Sequence, residues 1–558
     1  MNIMKKIFSI ALAVFTLAAC QTSWLDESKH PMPEGVGAKP EFQFEGESTI
    51  NVSKLGGDYT ATIKANQPWL VESTADWITV TSDRVGKGDG SAETVSFTVQ
   101  KNPSLDPREG KIRMWITNDD EAYITIKQEP LLLEDLGTSY YVTVDGTGDG
   151  SSWSSPTTLS KALAAAVDAD EIYVAAGTYV PTDVLPGGEA GGDETFFVKA
   201  NIKLIGGYPA NPKDGDKPDP KANKTILSGN DAYNHCMVIG APKSDLFTAT
   251  VSGFTLTKGR TTLETAPDVK VNGVGLYKSY GIGLAVAGGR AIIENCEIID
   301  NTSTKFNAGV FVLGAEATFK NCLISENKVS LGSGNGTAFW NGPNSVTRMY
   351  DCVISKHTST GVGIMYNYEI TAGSGTPSLY MYNCEVTGNS NGSYGALYNR
   401  DGYAVLVNCT VHGNSAKTGA GLFCYGANGI LTMISSTVTG NTAKTDCGGL
   451  TSGSNAKVYV YNSVIAGNTA PAGKNADTGT ITEAVKSVTS GDASMFGAYN
   501  AGVYPLLSGS GLTGGMTVAE LQAVNTNITV LPLIPEDVAV DAKGNQRTGT
   551  MMGAYIGK

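Results

Sequence analysis

The chain has 558 residues, enough for several domains at about 150 residues each, yet it carries 68 glycines and only 17% charged residues, where about 7% glycine and about 25% charge are usual. Forty basic against 53 acidic side chains leave a net charge of -13, which argues against nucleic acid as a partner and leaves neutral glycans or cations open. Abundant glycine with little charge suits stacked coils joined by many tight turns.

Residues 1–20 read as an export signal: Lys5 and Lys6, an apolar run from Ile7 to Ala18, then Leu17-Ala18-Ala19-Cys20. The run is too short to span a membrane. Leu-Ala-Ala-Cys resembles a bacterial lipobox, which implies cleavage before Cys20 and acylation of its thiol and new amino terminus. Attachment to the membrane is then by lipid anchor alone. As a plain secretory signal the stretch would leave Cys20 an unpaired passenger. Asp26-Glu27 loosely resembles the acidic export signals of Bacteroidetes surface lipoproteins, which implies an outer-membrane, cell-surface location. Residues 21–40, with Pro31, Pro33, Gly35, Gly37 and Pro40, lack periodicity and read as a flexible tether.

From 41 to 130 short alternating runs such as Tyr59 to Ile63, Thr94 to Val99 and Tyr123 to Lys127 predict a small immunoglobulin-like β-sandwich. Trp69 and Trp77, Asn102-Pro103-Ser104, Arg108-Glu109-Gly110 and Ile126-Lys127-Gln128 resemble the BACON family. Its name implies carbohydrate association, although such modules also serve as spacers. Both tryptophans suit a core better than a sugar platform.

A second domain is predicted over 138–558. It opens with a strand at Tyr140 to Val144, a Gly/Asp turn, a short helix over 159–167 and a strand at Ile172 to Tyr179. The turn lacks the Gly-Lys-[Ser/Thr] ending of a phosphate loop. The helix resembles those that cover the first coil of bacterial β-helices and protect its open edge. Two inserts follow, over 181–195 and 208–224. The second holds Asp214, Asp216 and Asp219, which could chelate calcium. Interleaved Lys213, Lys217 and Lys221 favour a solvated loop. A third insert spans 260–280.

One phrase then recurs. Asn295-Cys296-Glu297-Ile298 is followed by Asn301, Asn321-Cys322-Leu323-Ile324 by Asn327, Asp351-Cys352-Val353-Ile354 by His357, and Asn383-Cys384-Glu385-Val386 by Asn389. Later copies end at Asn414, Asn441 and Asn468. First positions 295, 321, 351, 383, 408, 435 and 462 lie 26, 30, 32, 25, 27 and 27 residues apart, the period of a solenoid. Within each period apolar residues alternate with period two (Ile293, Phe319, Met349, Met381, Leu406, Met433, Val460), which predicts strands. The fold class is therefore all-β. Asn301, Asn327, Asn389, Asn414, Asn441 and Asn468 predict an asparagine ladder, since stacked amides about 4.8 Å apart both donate and accept. His357 would join it through its ring nitrogens, or act as a base. The column Cys296, Cys322, Cys352, Cys384 and Cys409 predicts free buried thiols, because the strand spacing exceeds disulfide reach. The phrase resembles right-handed parallel β-helices of the pectate-lyase-like superfamily, and the short repeats of polymorphic outer-membrane proteins. Lyases, glycosidases and adhesins share that scaffold. The tail, from Tyr504 to Tyr555, is predicted to cap the last coil.

Columns along the coils test for chemistry. Asp300 and Glu326, one place before the ladder, would stand about 5 Å apart, near the separation of a retaining glycosidase, but they lie in turns. No acidic cluster stands beside a basic residue as a calcium-dependent lyase would need, so neither a catalytic nor a metal set is assigned. Arg348, Tyr350, Tyr380 and Tyr382 should meet on one outward face, a platform on which tyrosine rings could stack against sugars. The leading expectation is a non-catalytic surface lipoprotein that binds a polysaccharide or a glycoprotein glycan. A polysaccharide lyase or glycoside hydrolase, and a plain structural stalk, are the alternatives.

Overall fold

The computed structural model describes residues 39–131, 137–244, 247–261, 268–330, 334–369, 374–505, 512, 514–526, 528–530, 532–547 and 550–555. Cys20 and nearly all of the predicted tether lie outside them. Contacts divide the chain into two units, Met1–Leu136 and Gly137–Lys558.

In the first unit, period-two alternation yields a four-stranded and a five-stranded sheet around one core. In the strand Ala92–Val99 the residues Val95, Phe97 and Val99 face inward while their neighbours are more open, as a half-buried strand requires. Trp69 is buried, and Gly86 leaves room for its indole, since a Cβ there would lie 1.9 Å from the ring. Trp77 is half-buried in the same core, with the Arg108 guanidinium 4.2 Å from its ring centre. Both belong to the core.

The second unit is a right-handed parallel β-helix of about 11 turns. Three parallel sheets of 12, 10 and 9 strands run its length, and six two-residue strands line one corner. We call them the first, second and third sheets in the order in which each coil meets them. Equivalent residues pair from coil to coil, so Ile293, Phe319, Met349, Met381, Leu406, Met433 and Val460 stack in the first sheet. All are buried in one continuous core.

The phrase builds two corners. Its first residue, at the turn from first to second sheet, has positive φ in every copy: Asn295 53°, Asn321 51°, Asp351 53°, Asn383 56°, Asn408 54°, Ser435 48° and Asn462 50°. The left-handed conformation returns just before the ladder, at Asp300, Glu326, Lys356, Gly388, Gly413, Gly440 and Gly467. The ladder asparagines are thus free of the turn strain and only bond. Asn301 Nδ2 donates to Asn327 Oδ1 at 2.9 Å, and Asn389, Asn414, Asn441 and Asn468 continue at the same distance. Asp477 ends the run by accepting from Asn468 at 2.9 Å. His357 keeps it unbroken: Nδ1 donates to Asn389 Oδ1 at 3.1 Å, and Nε2 accepts from Asn327 Nδ2 at 3.3 Å. The cysteine column is buried and unbridged, as are Cys236, Cys424 and Cys447.

The helix Leu159–Ala165, capped by Thr158, buries Leu159, Ala162 and Leu163 in the core at the first coils. The tail departs from expectation. Instead of capping only the last coil, it turns back and lies along the outer faces of the first and second sheets. Met516, Leu521, Ile528 and Val538 pack with Tyr380, Val405, Val407 and Ile434. Asn408 Nδ2 donates to the carbonyls of Asp537 and Val540, and the Ala554 N–H donates to Thr437 Oγ1. The strap covers apolar outward residues that water would otherwise meet.

Two measurements check this architecture. Burial holds His357 to about 4, whereas an unfolded histidine takes up its proton near pH 6.5. Between those values protons favour the unfolded chain, so stability is full above pH 6.5 and falls as pH drops towards 4. At about 1.4 kcal/mol per pH unit, His357→Asn should shrink the loss of urea stability across that window by about 3 kcal/mol, and an unchanged slope would refute the buried neutral ring. Tyr380→Ala should cost about 3–5 kcal/mol in reversible unfolding of the β-helix; a cost below about 1 kcal/mol would show that the strap is not seated on this ring.

Candidate glycan-binding face

The strands Val346–Tyr350 and Ser378–Tyr382 pair Arg348 with Tyr380 and Tyr350 with Tyr382. The four residues meet as their spacing requires, with the Tyr350 ring 6.2 Å from Tyr380 and 5.9 Å from Tyr382. Their face is not open, however. Tyr380 is 2% exposed and its hydroxyl donates to Asp537 Oδ2 at 2.8 Å. Arg348, Tyr350 and Tyr382 are half-buried, and burial raises the tyrosine hydroxyls, Tyr382 to about 12. The strap occupies the surface on which a sugar was expected to stack.

The remaining polar candidates serve the scaffold. Asp300 pairs with Lys258 at 2.6 Å and Lys328 at 3.3 Å, and Glu326 with Lys356 at 3.4 Å. The Lys258 hydrogen bond, above all, holds Asp300 below the usual carboxylate range. A carboxyl so held is not poised as the acid of a glycosidase. Asp216 accepts the Lys213 N–H, and Asp219 accepts those of Lys221 and Ala222. Those carboxylates brace their own loop, and among the described residues no three of His, Cys, Asp and Glu converge as metal ligands. A His–Glu contact that sequence reasoning missed joins the tail to the second sheet. His412 Nε2 lies 2.7 Å from Glu385 Oε1, and the Tyr499 hydroxyl donates to that same oxygen. Tyr499 and Tyr504 also flank the imidazole ring, so the cluster anchors the tail.

The outer face of the third sheet is aromatic. Phe311, Trp340, Tyr366, Tyr398 and Phe423 occupy one register position on successive strands. Tyr368, Arg400 and Tyr425 occupy the position two residues on. The hairpin Asp268–Val271 and Val274–Tyr277 packs Val269, Val271 and Leu276 against the early part of this face. Farther along the rings support one another. Tyr366 and Tyr398 stack at 5.1 Å and 15°, and Tyr394 and Phe423 at 4.8 Å and 13°. On this bed the half-buried rings of Tyr368 and Tyr425 bracket Arg400, whose guanidinium lies 4.7 Å from one and 5.8 Å from the other. Arg400 Nε is buried without a hydrogen-bond partner among the described residues. Beyond Phe423 and Tyr425 the next strand offers only Thr451 and Gly453, so the aromatic row ends in a step.

A signal for this face was present in the sequence. Tyr366-Asn367-Tyr368, Tyr398-Asn399-Arg400 and Phe423-Cys424-Tyr425 recur after 32 and 25 residues, the same intervals as the phrase. Their middle residues form a second, inward ladder, in which Asn341 Nδ2 donates to Asn367 at 2.8 Å and Asn367 to Asn399 at 2.7 Å.

Comparison with known proteins agrees with the fold. Residues 67–129 match the BACON family, described as a putative binding domain, residues 262–374 match the right-handed beta helix region, and residues 4–21 match the prokaryotic membrane lipoprotein lipid attachment site. No curated protein matches the chain. Among solved structures, pectate lyase Pel9A is similar over 76% of this chain and 98% of its own, at 16% identity and a TM-score of 0.47. A Bacteroides ovatus GH5 xyloglucanase, in complex with a XXXG heptasaccharide, is similar over 24% of this chain and 37% of its own, at 17% identity and a TM-score of 0.15. The chain is a membrane-anchored lipoprotein with a BACON domain followed by a right-handed parallel β-helix.

Proposed function

We propose that this lipoprotein is displayed from the outer membrane at the cell surface, and that its β-helix binds a polysaccharide or a glycoprotein glycan without cleaving it. The binding face is the aromatic row of the third sheet, not the strapped face of Arg348, Tyr350, Tyr380 and Tyr382. One observation carries the reading: Tyr368 and Tyr425 bracket Arg400 over a bed of stacked rings. Tyrosine faces stack on the apolar faces of sugar rings, while their hydroxyls and a guanidinium bond to sugar hydroxyls. The net charge of -13 favours a neutral polymer over a polyanion.

The test passes full-length lipoprotein, in a sugar-free detergent, over immobilised plant, host and microbial polysaccharides. Tyr368→Ala combined with Tyr425→Ala should weaken retention tenfold or more, whereas Tyr350→Ala combined with Tyr382→Ala should leave it within about twofold. Retention that survives the first pair overturns the assignment of the face. Release of oligosaccharides overturns the non-catalytic reading.

A further inference from the structure

A second polar site lies several coils closer to the N-terminus. The insert over 181–195 folds against the corner before the third-sheet strand Met237–Ile239, and a cleft of about 400 Å³ opens there. That volume lies within the range of small-ligand sites. Its floor holds an ion pair that is almost wholly withdrawn from water. Lys278 Nζ lies 2.6 Å from Asp193 Oδ2, with the side chains 6% and 3% exposed.

The two partners are unequally satisfied. Asp193 also accepts from the Glu189 N–H at 2.7 Å and from Asn234 Nδ2 at 2.8 Å. Burial alone would raise its carboxyl, but Lys278 and these donors outweigh it and hold it below the usual range. Lys278 has three N–H donors, and among the described residues the ion pair with Asp193 is its one polar contact. A buried ammonium with donors to spare is costly. It lines the cleft, where a ligand oxygen can take them. The exposed side chains of Asp231 and Arg260 also line the cleft, in no hydrogen bond or ion pair among the described residues. Asp231 has φ of 53°, a strained backbone conformation for a residue with a Cβ. Donors from Lys278 and Arg260 and a carboxylate acceptor from Asp231 in one lining match a ligand that both gives and takes hydrogen bonds. Glu189, Asp193 and Asp231 against Arg260 and Lys278 leave the lining one negative charge in excess, which disfavours an anion.

We infer that this cleft is a subsite for one or two neutral sugar units, with Lys278 and Arg260 donating to hydroxyl or ring oxygens and Asp231 accepting from hydroxyls. The sugar class rests on the glycan reading above, but the site shares no residue with the aromatic row, so the two can fail separately. The probes are free glucose, galactose, mannose and N-acetylglucosamine, each titrated by calorimetry into full-length lipoprotein in the sugar-free detergent. Galacturonate and inorganic sulfate serve as anionic controls. At least one neutral sugar should bind, Asp231→Ala and Arg260→Ala should each weaken it tenfold or more, and the Tyr368→Ala, Tyr425→Ala pair should leave it within about twofold. Both pocket substitutions are at exposed side chains, and the melting temperature of each variant separates loss of binding from loss of fold. Binding by the anions alone, absence of binding by all four sugars, or binding indifferent to Asp231 and Arg260 would each overturn the assignment. Polysaccharide retention lost in the Tyr368, Tyr425 pair but intact in the pocket variants would leave the aromatic face standing without it.

Discussion

Everything in the β-helix depends on one constraint: a polar group buried at a corner must find its partner on the next coil, because no water reaches it. The ladder solves this with a single side-chain type. Asn301 Nδ2 donates both to Asn327 and back to the Leu256 carbonyl, while the Asn301 Oδ1 accepts the Gly259 N–H. Each amide therefore ties three successive coils, and the register that the core requires is also the one that leaves no ladder polar atom unpaired. His357 obeys the same rule with a ring nitrogen at each end, which fixes one neutral tautomer. A protonated ring would carry a second N–H where Asn327 already donates. The pH sensitivity is a direct cost of replacing an amide by a titratable group.

With the interior fixed, only outward positions are free to vary, and three devices divide them. A hairpin inserted at 268–277 covers the early third sheet, the C-terminal strap covers much of the first sheet and part of the second, and stacked rings fill the later third sheet. Tyrosines occur on both the first and third sheets, so residue type alone does not locate a binding face. What separates them is that Tyr380 is bonded to Asp537 of the strap, while the rings of Tyr368 and Tyr425 hold a guanidinium between them.

The period, the strand alternation, the cysteine column and the ladder were all legible in the sequence, because each is a local pattern repeated at an interval that subtraction reveals. The strap was not. Its contacts with the coils join residues far apart in sequence, such as Thr432 with Thr526 and Asn408 with Val540, and it carries no repeat of its own. Asp477 as the ladder's last member was hidden for a related reason, since it stands only nine residues beyond Asn468. The second ladder and its flanking aromatics were readable in principle, but Cys424 replaces its last asparagine, and the run Tyr366, Tyr398, Phe423 shows only when aromatic residues are treated as one class.

The aromatic row and the cleft lie along the same sheet. From Met237–Ile239 to Met365–Tyr368 the third sheet advances by four strands, about 19 Å at the usual spacing. In-register stacking on a continuous core makes that separation rigid, unlike a distance set by a loop. Two weak contacts at a fixed spacing discriminate by length: a ligand too short to reach both gains nothing from the second, whereas an extended polymer gains an effective local concentration for it. A solenoid suits this task because each added coil moves a contact by one strand spacing without disturbing the ladder that holds the others in place. On this reading the repeat that specifies the fold also sets the length of glycan that the protein can distinguish.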